Sequence, residues 1–159
     1  MNTPSNKAYL YLIKLISFRD YSEHKLREKL REKKYPANEI DSAINEIKTK
    51  GYLKEELYTE ARVKGFMNKG YSPNYIRQKL AQEHLTVTEE EIEDIFSEYH
   101  VSVEEQIDRL ARKKMHGKTE FDYEGQSKIL RFLLSKGHDF GTSKKVLKSI
   151  IGELQEQLN

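Results

Sequence analysis
The chain has no cysteine and no tryptophan, only three prolines, and no long unbroken apolar run. Without cysteine there is neither a disulfide framework nor a thiolate zinc cluster, which suits a reducing compartment. The five histidines (His24, His84, His100, His116 and His138) never fall three or four apart, the spacing that would aim two rings at one ion, and so argue against a metal site. The greasiest stretch, Ala8 to Phe18, is interrupted by Lys14 and is too short to span a bilayer. Residues Met1 to Lys7 lack a basic region followed by an apolar core, so no secretion signal is expected and the chain should be soluble and cytoplasmic. In 159 residues, 34% charged and 36% hydrophobic side chains with so little proline describe solvated amphipathic helices rather than sheets. The fold class is all-α.

A strong charge of one sign is also missing. The net charge is +2, with eleven basic against seven acidic residues in 1–53, six against ten in 54–100, and eleven against nine in 101–159. That pattern does not describe a uniformly basic nucleic-acid binder, although it leaves room for a basic face on part of the molecule.

What the chain does have is an internal repeat. Tyr21 to Leu30 (YSEHKLREKL) returns as Tyr71 to Leu80 (YSPNYIRQKL), with Tyr, Ser, Arg, Lys and Leu in the same places. Both copies keep an apolar pair four residues apart, Leu26 with Leu30 and Ile76 with Leu80, which stacks on one face of a helix. A period near fifty residues is the mark of small units stacked in tandem, each unable to bury its apolar face alone.

Read in order, Lys7 to Phe18 forms a first helix with apolar groups over more than half its circumference. Ser22 caps a second, which ends near Tyr35 and Pro36. A third turns Ile40, Ala43, Ile44 and Ile47 inward and closes at Gly51. The pattern then predicts a fourth helix with Leu53, Leu57, Ala61 and Phe66 inside, closed by Gly70. Ser72 and Pro73 start the fifth, and a Thr88–Glu91 capping box starts a sixth whose inner face is Ile92, Ile95, Phe96 and Tyr99. A second capping box, Ser102 with Glu105, opens the seventh, which runs to Gly117. After a linker from Lys118 to Asp122 come a helix through Ile129, Phe132 and Leu133 ended by Gly137, a Gly141-Thr142-Ser143 turn, and a last helix carrying Val146, Leu147, Ile150, Ile151 and Leu154. Nine helices in three triplets are expected, divided as 1–53, 54–100 and 101–159.

Residues 8 to about 154 resemble the RecX family, regulators of the RecA recombinase. The motifs that carry the resemblance are Arg19, Tyr21, Ser22, Leu26, Arg27, Lys29 and Leu30; Gly51, Tyr52 and Leu53 leading to Tyr58; and Phe66, Lys69, Gly70, Tyr71, Ser72, Pro73, Ile76, Arg77 and Leu80. The sequence departs from the family pattern at Lys25, at Lys34 in place of the usual glycine, at Lys54 with Glu55, and at Lys136-Gly137-His138 in the third unit. The resemblance implies three tandem three-helix repeats in a curved, elongated body, with no catalytic site and no cofactor. It further implies a monomer that binds the RecA filament on single-stranded DNA, lies in its groove, and curbs its extension, ATPase, strand exchange and coprotease functions. Weak direct contact with DNA is compatible with this, and no membrane partner is implied.

The residues themselves narrow the candidates. On a wheel with Leu26 at zero, Leu30 falls at about 40°, Arg27 at about 100° and Lys29 at about 300°, so the two cations flank the apolar stripe. Arg77 and Lys79 repeat the arrangement. Such residues either snorkel and pair with neighbouring acids, as a shared fold would require of each copy, or present regularly spaced charge to a partner that is itself periodic. Tyr21 and Tyr71 invite base stacking, but a tyrosine just before an N-cap is better explained as the staple of helix entry. Arg109, Arg112, Lys113 and Lys114, with Lys118 beyond, are either a solvated helix face or a contact for phosphates or an acidic partner. Gly117-Lys118-Thr119 looks like the tail of a phosphate-binding loop, yet Arg112 occupies the position that needs glycine and no strand precedes it. The carboxylates from Glu89 to Asp94 have no neighbouring group to tune them for acid–base work and suit a helix N-terminus. They also reject the rival reading of a helix-turn-helix DNA binder, because that helix would have to enter an anionic groove. Only the last helix, with Lys144, Lys145 and Lys148, is compatible with DNA contact.

Overall fold
A ten-residue helix with one apolar pair buries too little to persist alone, so each copy of the repeated segment must be roofed by its neighbours. The computed structural model, which describes residues 3–118 and 120–158 and only the backbone of 3–6, shows how. Among the described residues there are nine helices and no strands. They are α1 (Thr3–Ile16), α2 (Glu23–Glu32), α3 (Ala37–Thr49), α4 (Glu55–Asn68), α5 (Pro73–Gln82), α6 (Glu89–Glu98), α7 (Val103–Met115), α8 (Tyr123–Ser135) and α9 (Phe140–Leu158). They group into two compact units, residues 1–62 with 83–85 and residues 63–82 with 86–159.

In the first unit α3 packs on both α1 and α2. Leu12, Leu26, Leu30, Ile44 and Ile47 are fully enclosed, joined by Ile40 and Ala43 as the periodicity requires. Ser22 caps α2, accepting from the Lys25 N–H at 3.1 Å. Tyr21 lies beside this cap, buried in the same core, which is the staple role. Gly51 closes α3 at φ +71°. Lys34, where the family pattern favours glycine, adopts the same left-handed backbone at φ +65°, so the turn keeps its shape despite the substitution.

In the second unit α7, α8 and α9 pack on one another around Ile107, Ala111, Leu133, Leu147 and Ile150, and α5 packs on α6. The turn after α4 is pinned to the turn after α8 by a close backbone approach. The Ser72 N–H donates to Lys136 O at 3.0 Å, the Ser72 hydroxyl donates to Gly137 O at 2.8 Å, and the His138 ring Nε2 meets Gly70 O at 2.8 Å. Buried Gln106 adds two bonds from its amide, to Met67 O at 3.0 Å and Tyr71 O at 2.9 Å. Both turn glycines have left-handed backbone, and at Gly137 space is closed as well. A Cβ on Gly70 (φ +91°) would sit 2.8 Å from Leu110, and one on Gly137 (φ +89°) would sit 2.5 Å from the Cβ of Tyr75 and 2.6 Å from the Ser72 hydroxyl.

Four expectations from the sequence need correcting. The inward face of α4 is Val63 and Met67, while Leu57 is 52% exposed and Ala61 faces solvent. Apolar residues are scattered all round this helix, so periodicity alone did not select a face. Tyr99 is the exposed C-cap of α6 rather than part of its inner stripe, with the Lys64 ammonium 4.4 Å over its ring. Of the two capping boxes only Thr88–Glu91 makes both bonds; Ser102 accepts from the Glu105 N–H alone. Gly141, Thr142 and Ser143 lie inside α9, because Asp139 starts the helix one turn earlier, accepting from the Thr142 N–H at 2.8 Å. That bond holds the Asp139 carboxyl below its usual range. Asp122, placed in the linker by sequence, caps α8, whereas Thr119 lies outside the described residues.

The close approach predicts unequal costs for two superficially alike substitutions. Gly51→Ala meets only the left-handed backbone penalty, about 1–2 kcal/mol, since nothing lies within 4 Å of its Cβ. Gly137→Ala adds a steric clash and should cost about 1–3 kcal/mol more, read by urea denaturation; equal losses would show that the turns are not held in contact.

His138 predicts a pH dependence. Burial is the main cause that pushes its pKa below the ordinary 6.5, against smaller raising effects of the Gly70 carbonyl and Asp139. The unfolded chain therefore binds this proton more readily, so stability is full above about 6.5 and falls as pH drops through the depressed folded value. His138→Gln should flatten that loss in urea titrations between neutral pH and pH near 5, and an unchanged slope would assign it to other groups.

Candidate functional site
The flanking cations of the repeated helices divide between structural and open positions. Arg27 is half-buried and doubly paired, to Glu23 at 2.9 Å and Asp41 at 2.6 Å. Glu23 also takes Lys48 at 2.6 Å, the first cause of its lowered pKa. Lys29 lies 5.9 Å from the Tyr21 ring centroid, below which Arg19 stacks at 4.7 Å. In the second unit Arg77 bonds the Asn74 side chain at 3.0 Å, and Lys79 lies 5.5 Å from the Tyr75 ring centroid. Tyr71 is itself packed between the edge of Phe66 and the face of Tyr75, whose ring is stacked on it at 4.5 Å.

The basic run on α7 splits in the same way. Arg112 is tied to Asp108 and Glu153, each at 2.7 Å. Arg109, Lys113 and Lys114 instead line a groove of about 580 Å³ with Lys69 and Lys136, two cations that the sequence placed in family motifs but not among the contact candidates. Their common signal is positional: Lys69 follows the end of α4 and Lys136 caps the end of α8, each immediately before a turn glycine. Leu110 and Phe132 supply the apolar part of the lining, and His116 and Asn68 complete one side. No acidic residue lines the groove. Among the described residues, none of its five Lys and Arg side chains lies within salt-bridge distance of a carboxylate. Two of them are held over rings: Lys114 lies 4.6 Å from the Phe132 centroid, and Lys136 lies 4.2 Å from that of Tyr71 and 5.7 Å from that of Phe132.

Other chemistry is less well provided for. Among the described residues no group of three or more His, Asp or Glu is placed to hold a metal ion. Glu89, Glu90, Glu91, Glu93 and Asp94 are exposed along α6, which gives that helix an anionic surface unsuited to a DNA groove. No helix of the described residues is long and apolar enough to cross a membrane.

These features define a class: an all-helical repeat protein with a groove lined by five cations and no acid. Residues 8–46 match the family model of the RecX first three-helix domain, and residues 102–147 that of the RecX third three-helix domain. The regulatory protein RecX of Haemophilus influenzae (strain PittEE) is 31% identical over 134 residues, covering 84% of this chain and 88% of the relative. That of Legionella pneumophila (strain Corby) is 28% identical over 147 residues, covering 91% and 95%. The crystal structure of RecX from Lactobacillus salivarius matches with a TM-score of 0.70 at 23% identity, over 96% of this chain and 97% of that one. A second crystal structure of regulatory protein RecX gives 0.72 at 20% identity, over 90% and 71%. The chain belongs to the RecX family of regulatory proteins, and its fold is the RecX fold of three-helix repeats.

Paired and unpaired cations should respond differently to truncation. Arg27→Ala should lower stability by about 1 kcal/mol, whereas Lys113→Ala should stay within about 0.5 kcal/mol of the parent, compared by urea denaturation. A larger loss at Lys113 would make it a structural residue rather than an open one.

Proposed function
We propose that this chain is a non-enzymatic regulator that binds the RecA filament on single-stranded DNA and limits its extension, and with it the filament's ATPase and strand-exchange activities. Membership of the RecX family supports the regulatory part of this reading. The observation that carries the binding part is the groove, where five cations face solvent together with no acid among them. A surface of that kind attracts a polyanionic partner from a distance and holds it by desolvated contacts once it arrives. We take Arg109, Lys113, Lys114, Lys69 and Lys136 as the main contact set, with Lys29, Arg77 and Lys79 as lesser contributors. Arg27 and Arg112 serve chiefly to hold helices, given their double ion pairs. Three repeats divided at residues 53 and 100 complete the reading.

The test is a RecA ATPase assay on single-stranded DNA. The parent chain should suppress hydrolysis at substoichiometric amounts, and the double variant Lys69→Glu with Lys113→Glu should need at least about tenfold more protein for the same effect. That corresponds to about 1.4 kcal/mol. A parent chain without effect that binds bare DNA tightly, with steep salt dependence, would overturn the reading in favour of a direct nucleic-acid binder.

A further inference from the structure
The groove's construction says more about its occupant than its sign does. It is assembled where three helices end: Lys69 lies just past α4, Lys113 and Lys114 in the last turn of α7, and Lys136 at the cap of α8. Helix C-termini carry partial negative charge, about half an elementary charge each, and lysines there are an ordinary means of offsetting it. Three ends account for only about one and a half of the five positive charges. The excess of more than three is what an anionic ligand would neutralise.

The kind of anion follows from what else the groove presents. Phosphate sites are usually built from helix N-termini, whose N–H groups point at the ligand; this groove lies at helix C-termini, so an anion there is held by side chains rather than by a backbone cradle. A nucleic-acid strand would also be expected to stack bases on open rings. Here the rings are occupied, Phe132 by the ammonium groups of Lys114 and Lys136, and Tyr71 by Tyr75 on one side and Lys136 nearby. A peptide suits these surroundings better. Its acidic side chains meet the lysines, and an aliphatic side chain can lie against Leu110 and Phe132, the apolar part of the lining.

We infer that the groove formed by Lys69, Arg109, Lys113, Lys114 and Lys136 over Leu110 and Phe132 is a docking site for an acidic peptide segment carrying an aliphatic side chain, presented by a protein partner. This rests on the regulatory reading above, since it assigns the groove to the protein part of the nucleoprotein partner.

The test is fluorescence anisotropy with the full chain and no RecA, using a short labelled peptide of Glu and Asp around one Leu, the same peptide with Ser in place of Leu, and single-stranded oligo-dT. The Leu peptide should bind, the Ser peptide should bind about tenfold more weakly, and Lys69→Glu with Lys113→Glu should abolish both. Lys7→Glu on the exposed face of α1 should leave binding unchanged, and circular dichroism checks that the variants fold. Equal binding of the two peptides, or oligo-dT binding more tightly than either and lost in the double variant, overturns the inference. So does absence of peptide binding by a chain that still inhibits RecA. A chain that binds the Leu peptide but is inert towards RecA overturns the regulatory reading instead.

Discussion
Two glycine turns held against each other set the layout of the second unit. At Gly137 the backbone comes so close to Ser72 and Tyr75 that no side chain fits, and two bonds from Ser72 fasten the turns together. His138 on Gly70 and Gln106 on Met67 and Tyr71 satisfy the carbonyls that this approach buries. Buried carbonyls left unpaired would cost about 1–3 kcal/mol each, so the polar side chains at the junction are part of what makes the approach tolerable.

The groove is a by-product of that junction. Bringing the end of α4 to the end of α8, with α7 alongside, gathers three helix C-termini and the lysines that helix ends favour. Individually each lysine is an unremarkable terminal residue. Together they exceed what the helix dipoles can offset, and the surplus becomes a property of the surface rather than of any helix. The same reasoning explains why Arg112, one position from Lys113 on α7, does not contribute: it faces Asp108 and Glu153 and is neutralised within the unit.

Repetition in sequence did not translate into repetition of surface. Arg27 and Arg77 occupy matching places in the repeated helix, yet Arg27 is locked by Glu23 and Asp41 while Arg77 bonds the neutral side chain of Asn74. The acids that secure the first come from its own helix (Glu23) and from α3 (Asp41), and among the described residues no carboxylate lies within salt-bridge distance of Arg77. Tyr21 and Tyr71 are closer to equivalent, since both precede an N-capping serine and both are used in packing, where hydrophobic burial rather than a ligand fixes them.

The sequence by itself determined the helices, several of their caps and most of the core, because these depend on spacing within ten or fifteen residues: Leu26 with Leu30, Ile40 to Ile47, Thr88 with Glu91. It also carried the family, through the order of motifs along the chain. It left α4 undecided, since apolar residues on every side give no preferred face until neighbours choose Val63 and Met67. Lys69 and Lys136 were legible only as members of separate motifs, sixty-seven positions apart, and nothing in the local pattern marked Asp139 as a cap. Tertiary structure decided which cations are paired and which converge, because electrostatic partnership is set by distances of a few ångströms between segments that no local pattern relates.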